Sequence, residues 1–222
     1  MSTQQMVNIP KIILQVSKYK KHKLFKTLYK NYEYYHFTDS EILDFIKFYA
    51  VEKMFPGVLN TFTKLKRGQH KSDLFRYIFL YLNGGIYIDT DIELLTDINN
   101  IVTHEHFVSV FTPKYSRGFN GFIAVSPKNA VILKCLKHML SIDTLAVKYF
   151  DICKYFGYTF NQSHQNQKIL VEKIFYKYSL IYDNDIPVMI HHYKNKDYPY
   201  QQTIKNQKTS DYFTQLFDNK DR

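Results

Sequence analysis

The stretch KSDLFRYIFLYLNGGIYIDTDIELL, residues 71–95, decides how the rest of the chain is read. Its first half places Leu74, Ile78, Tyr81 and Leu82 at the three- and four-residue recurrence of a helix with one buried face, predicting a helix over 69–83. Gly84 stands at the C′ position, where a glycine ends a helix at low steric cost. Residues 85–88 then read as an apolar strand that ends in Asp89-Thr90-Asp91. On the helix, Asp73, Arg76 and Tyr77 lie three and four apart and share a face. On a strand, residues two apart point the same way, so Asp89 and Asp91 are expected to aim at one spot. That spot is the C-terminal end of a strand, where open α/β sheets bind ligands. Two convergent carboxylates suit a hard divalent cation, which keeps waters and bridges to substrate phosphates. A second Asp-x-Asp, Asp183-Asn184-Asp185, lacks the glycine pair and the upstream acid/base helix, and reads as a turn before Ile186-Pro187.

Outward from this block, strands alternate with helices. The apolar run over 11–16 reads as a buried strand, followed by a lysine-rich helix over 21–31 and a strand over 34–37. Thr38-x-x-Glu41 is a capping box that opens a helix through Tyr49, with Ile42, Phe45, Ile46 and Tyr49 on its apolar face. Pro56-Gly57 punctuates before a short helix over 58–65. Later strands are expected over 107–111, 122–125 and 188–191, with helices over 129–140, 145–156 and 165–178. This order implies an α/β fold with a sheet layered by helices. No linker-like segment divides it, so one domain is expected over 1–222, with a core of about 9–193 and a polar tail over 194–222.

The chain has 222 residues, 45% of them apolar, which excludes wholesale disorder, and 7 Gly and 6 Pro without a fixed repeat exclude low-complexity fibre. Cys135 and Cys153 form no C-x-x-C pair and make no disulfide framework, pointing to a reducing compartment. No secretory signal is visible. The longest apolar stretch, 77–88, is broken by Asn83, Gly84 and Gly85 and falls short of the roughly 20 residues a membrane span needs. A soluble cytoplasmic protein, or one held at a cytoplasmic membrane face, is therefore expected. The net charge of +10 is lopsided: no acid precedes Glu33, while Lys11, Lys18, Lys20, Lys21, Lys23, Lys26 and Lys30 do. These lysines read as a solvated face, or as peripheral contact with an anionic membrane. Nucleic acid is disfavoured as a partner, because no basic finger, basic recognition helix or aromatic RNA-binding strand accompanies them.

The ordered set Ser72-Asp73-x-x-Arg76-Tyr77, then Gly84-Gly85-Ile86-Tyr87-x-Asp89-x-Asp91, closely resembles the DXD glycosyltransferases of family 32, which include yeast initiating mannosyltransferases and capsular polysaccharide transferases. Ile9-Pro10-Lys11-Ile12-Ile13-x-Gln15 resembles the family's opening strand, with Leu14 where a His is usual and no downstream Trp. Tyr35-His36-Phe37-Thr38-Asp39, Asn120-Gly121-Phe122-Ile123-Ala124 and Ile190-His191-His192 resemble its later blocks, so the likeness runs from about 9 to 192. The family's Gly-Pro motif is absent, and Gly157-Tyr158-Thr159-Phe160 substitutes for it poorly.

The resemblance implies a GT-A fold, Rossmann-like, with a mixed central sheet flanked by helices. It implies a metal-dependent, retaining transferase that moves a hexose from a UDP- or GDP-linked nucleotide-sugar to a glycan or other hydroxyl acceptor. By the same likeness Asp91 would ligate Mn²⁺ or Mg²⁺, and Asp89 would contact ribose or sugar hydroxyls with an indirect role at the metal. Asp73 and Arg76 would hold the donor sugar, completing a catalytic set of Asp73, Arg76, Asp89 and Asp91. Ile13, Gln15, Tyr77, Gly84, Gly85 and Asn120 would line the donor site, Asn120 reading equally well as a turn residue. His191 or His192 would approach the diphosphate or metal, or serve structure alone.

Two rival readings stand beside this one. Residues 86–91 also fit the strand-borne Asp-x-Asp of haloacid-dehalogenase-like phosphatases, but Glu93 stands where those enzymes carry Thr or Val, and their motif lies near the N-terminus. The chain also fits a binding module without turnover, for polyanions, a lipid surface or sugar.

Overall fold

A computed structural model describes residues 8–17, 31–163, 166–176 and 178–192. Strand β1, Ile12–Val16, runs parallel to both β2, Glu33–Phe37, and β3, Gly85–Ile88. Between β2 and β3 the chain forms α1, Asp39–Phe48; α2, Val51–Met54; α3, Val58–Lys64; and α4, Gly68–Asn83. The capping box holds: the Thr38 N–H donates to Glu41 Oε2 at 2.9 Å. After β3 come β4, Ile92–Leu94; α5, Ile98–Ile101; β5, Phe107–Thr112; a 3-10 turn at Pro113–Tyr115; and β6, Arg117–Val125. The last elements are α6, Ala130–Ser141; α7, Asp151–Asn161; β7, Gln167–Ile174; β8, Ser179–Asp183; and β9, Ile186–His191.

The nine strands form one mixed sheet in the order β2-β1-β3-β6-β5-β7-β8-β9-β4. Side chains alternate across it. Leu14, Tyr87, Ile123 and Val125 pack with Leu74, Phe75 and Ile78 of α4, whereas Ile13, Ile86, Ile88, Phe122 and Ala124 pack on the other face with Ile98, Ile101 and Met189. Both faces are therefore buried, as the unbroken apolar runs of β1 and β3 require.

Two constraints position the functional end. Gly84 and Gly85 take φ of 66° and 101°; a Cβ on Gly84 would lie 2.7 Å from Pro127, and one on Gly85 would lie 2.8 Å from the Ile12 carbonyl oxygen. The helix-to-strand reversal thus needs glycine twice, for backbone angle and for room. The second constraint is topological. Only Asp89, Thr90 and Asp91 join β3 to β4, yet β4 pairs with β9 at the far edge of the strand order. The sheet must curl for so short a link to reach, and the curl brings His191 and His192 beside the Asp-x-Asp turn.

Several sequence expectations are corrected. Among the described residues the helix expected over 165–178 is replaced by strand: β7 occupies 167–174, and β8 follows from 179. Ile169, Leu170, Val171 and Ile174 fit a helical stripe as readily as a buried strand, and the β-branched excess favours the strand. The helix expected over 145–156 is α7, shifted to 151–161, where Asp151 accepts from the Lys148 N–H at 2.9 Å. The strand expected over 122–125 begins at 117, and β4, α2 and α5 are additional. Asp183-Asn184-Asp185 is the β8–β9 turn, with Asn184 at φ 54°. The helix expected over 21–31, apart from its last residue, lies outside the described residues. So do Lys18, Lys20, Lys21, Lys23, Lys26 and Lys30, and the tail beyond 192. Among the described residues no helix is long and apolar enough to cross a membrane.

Gly118 of β6 and Gly157 of α7 let strand and helix touch through backbone: a Cβ on Gly157 would fall 2.2 Å from the Gly118 nitrogen. Gly157→Ala is expected to lower stability by about 1–3 kcal/mol in urea unfolding. Gly68→Ala, which meets nothing within 4 Å, should stay within about 0.5 kcal/mol of the parent.

Candidate functional site

Arg76 is the centre of a buried polar cluster at the C-terminal end of β3. Its position on α4 faces Tyr87, the β3 residue that points to the helical side, and the guanidinium lies 3.9 Å from that ring. The guanidinium reaches Asp73 Oδ1 at 3.5 Å and Asp89 Oδ1 at 3.4 Å, and donates to Ser72 Oγ at 3.0 Å and to the Asn120 carbonyl. Burial disfavours its charge, but Tyr87, Asp89 and Asp73 outweigh that and raise its pKa, so it stays protonated. Asp73 is in the opposite position. Burial raises its pKa, and the charge of Arg76 and a hydrogen bond from Asn120 at 3.0 Å offset that only in part.

Asn120 is delivered by an irregularity in β6. Opposite Ser109 and Val110 of β5 stand Ile123 and Phe119, so residues 120–122 bulge out of that pairing. The bulge turns the Asn120 amide toward Asp73, while its Oδ1 accepts from the Tyr77 hydroxyl at 3.0 Å. Gly121 keeps the place open: a Cβ there would lie 2.8 Å from Asp89 Oδ2, and its carbonyl accepts the Asp89 N–H at 2.7 Å.

The two DXD carboxylates have different partners. Strand geometry ends at Ile88, so alternation does not align them as expected; Asp89 through Asp91 form a tight turn in which the Ile92 N–H donates to the Asp89 carbonyl at 3.1 Å. Asp89 is bound by the Tyr87 hydroxyl at 2.5 Å and by Arg76. Asp91 Oδ2 lies 3.5 Å from His191 Nε2. Burial works against the Asp91 carboxylate, but the hydrogen bond and charge of His191 lower its pKa overall; burial likewise works against a charged His191, but Asp91 and Glu172 outweigh it and raise its pKa to about 9. Side-chain exposure separates the layers: Asp89 and Asp91 are 31% and 34% exposed, Arg76 and Asp73 only 5% and 7%. The two DXD carboxylates are the solvent-facing members of the cluster.

Other expected site residues fall elsewhere. Gln15 is fully buried; its amide donates to the Ile88 carbonyl at 3.0 Å and accepts from Tyr34 at 2.8 Å, so it secures the end of β3. Ile13 is core. Gly84 and Gly85 stand at the opposite end of β3 and pack against Pro10, Pro127 and Ile12. These four were expected to line a donor site; in the structure they pack within and at the ends of the strands that lead to the DXD turn. His192 Nε2 lies 2.8 Å from Glu93, so His191 is the histidine beside Asp91. Among the described residues, no three His, Cys, Asp or Glu groups converge to hold a metal ion. Tyr87, Ser72 and Gly121 belong to the site although the sequence reading gave them no role; the two-residue offset of Tyr87 from Asp89 was its signal.

Residues 15–108 match the family model described as a glycosyltransferase sugar-binding region containing a DXD motif. Among solved structures the chain is similar to the PaToxG glycosyltransferase, at 16% identity and a TM-score of 0.52, covering 69% of this chain and 68% of that one. No curated protein matches. The α/β architecture expected from the sequence, a mixed sheet with helices in the GT-A manner, is thus the one found.

Arg76→Met would leave the enclosed Asp73 carboxylate without its counter-charge, and is expected to cost about 3–5 kcal/mol in urea unfolding. Tyr77→Phe, which removes one neutral hydrogen bond to Asn120, should cost about 1 kcal/mol.

Proposed function

We propose that this chain is a metal-dependent, retaining glycosyltransferase that moves a hexose from a UDP- or GDP-linked donor to a hydroxyl of a glycan or other acceptor. The observation that carries the reading is the division of labour in the DXD turn: Asp89 is oriented by Tyr87 and Arg76, while Asp91 lies beside an imidazole, and both reach solvent.

A carboxylate held in place by Tyr87 and Arg76 is suited to accept from the ribose or sugar hydroxyls of a donor, and that is the role assigned to Asp89. Arg76, itself paired with Asp73, lies beneath it and holds its direction. Asn120, tied to both Asp73 and Tyr77, closes the floor under the sugar. Holding the donor in one orientation supplies much of the rate advantage open to such a site.

A carboxylate beside an imidazole is a donor pair that suits Mn²⁺, with Mg²⁺ the oxygen-preferring alternative. The lack of a third converging ligand among the described residues fits a cation that completes its shell with waters and phosphate oxygens. Asp91, with His191 Nε2 next to it, would hold the ion, which when bound supplies positive charge for the departing diphosphate. The retaining course and the hexose come from the family resemblance.

The test is hydrolysis of UDP-glucose, UDP-galactose, UDP-N-acetylglucosamine and GDP-mannose with Mn²⁺ and with EDTA. At least one donor should turn over only with metal, and Asp91→Asn should lower that rate by on the order of a hundredfold or more. Absence of metal-stimulated hydrolysis, together with absence of metal-dependent binding for every donor, would sink the proposal.

A further inference from the structure

Glu172 lies on β7, some 80 residues beyond the DXD turn in sequence, and its carboxylate is buried. A carboxylate out of water is costly unless hydrogen-bonded and charge-paired. Thr112 donates to Oε2 and Ser179 to Oε1, each at 2.5 Å, and His191 Nδ1 is 3.2 Å from Oε1. The strand register explains the gathering. Phe111 pairs with Val171, which sets Thr112 next to Glu172, and Ser179 pairs with His191. His191 in turn pairs with Ile92, the residue after Asp91. Thr112, Glu172, Ser179 and His191 therefore form a polar row across β5, β7, β8 and β9 that ends on Asp91.

Two hydroxyl donors alone do not call for a carboxylate; an amide oxygen would satisfy them. What sets this carboxylate apart is the imidazole placed against it. Among the described residues, His191 is the charge partner of Glu172. With Nδ1 against Glu172 and its face against Phe119, at 4.7 Å between ring centroids, the ring is held with Nε2 toward Asp91. A carboxylate behind a ligating imidazole fixes the ring's orientation and makes it a better ligand.

We propose that Glu172 is a positioning residue of the DXD site: it acts through His191, aiming Nε2 at Asp91, and so sets how tightly Asp91 and His191 together take a divalent cation. This rests on the metal-dependent reading above, and the two fail in different ways.

The experiment is titration of the full chain with Mn²⁺ alone, read by the loss of the free-ion EPR signal, for the wild type, Glu172→Gln, His191→Gln and the double variant. Glu172→Gln should weaken Mn²⁺ binding by about 10–100-fold. In the His191→Gln background the same change should weaken it no further, because Glu172 acts only through that ring. Unchanged affinity in Glu172→Gln, or an equal loss with His191 already replaced, would overturn the inference while leaving the metal reading intact. A wild type that takes up no Mn²⁺ would remove the metal reading and this inference with it. Should Glu172→Gln fail to fold, Ser179→Ala enters the same cycle, with a smaller loss of affinity expected that vanishes without His191, and a loss that persists there counting against the proposal.

Discussion

The molecule is organised around a guanidinium out of water. Arg76 is 4% exposed, and a buried cation persists only where carboxylates, carbonyls and ring faces replace its hydration. Its environment supplies all three: Asp73 and Asp89, the Asn120 carbonyl, and the face of Tyr87. They come from α4 itself, from the end of β3 and from β6, so the requirement to satisfy one side chain fixes α4 against β3 and both against the bulge of β6. The stability of the core and the geometry of the site are one problem at this point, and Asp89, the first carboxylate of the DXD turn, is held by groups that the fold needs in any case.

The curl of the sheet does the remaining work. Three residues link β3 to a strand at the far edge of the order, and this shortness obliges β4 and β9 to lie beside the DXD turn. His191 arrives next to Asp91 by backbone pairing rather than by a side-chain search, and the polar row behind it crosses the sheet at the same level. Within three residues the turn gives its two carboxylates different surroundings: Asp89 meets Tyr87 and Arg76 of the helical layer, and Asp91 meets His191 at the curled edge.

Much of this was legible in the residues themselves where the determinants are contiguous. Helix, glycine pair, strand and Asp-x-Asp follow one another within 71–95, so local periodicity and backbone demands sufficed to place α4 and β3 and to pick out Asp73, Arg76, Asp89 and Asp91. Legibility failed where pairing decides. Asn120 reads equally as a turn residue until the β6 bulge is seen to aim it. His191 and His192 are indistinguishable in sequence, and one residue of register with β4 sends the first to Asp91 and the second to Glu93. Glu172 was hidden by the ambiguous period of β7, because a helix over 165–178 would have had no reason to bring it to His191. For Gln15, Gly84 and Gly85 the residues alone did not show the packing demand that each answers in the strands leading to the DXD turn.

The central claim is that donor and cation meet at the DXD turn. Anomalous diffraction from crystals grown with Mn²⁺ and UDP or GDP tests it most directly. The account predicts a manganese peak beside Asp91 and His191 Nε2, with the diphosphate next to it and the sugar-bearing end directed toward Asp89. A nucleotide bound away from the end of β3, or bound there with no manganese at Asp91, would contradict it.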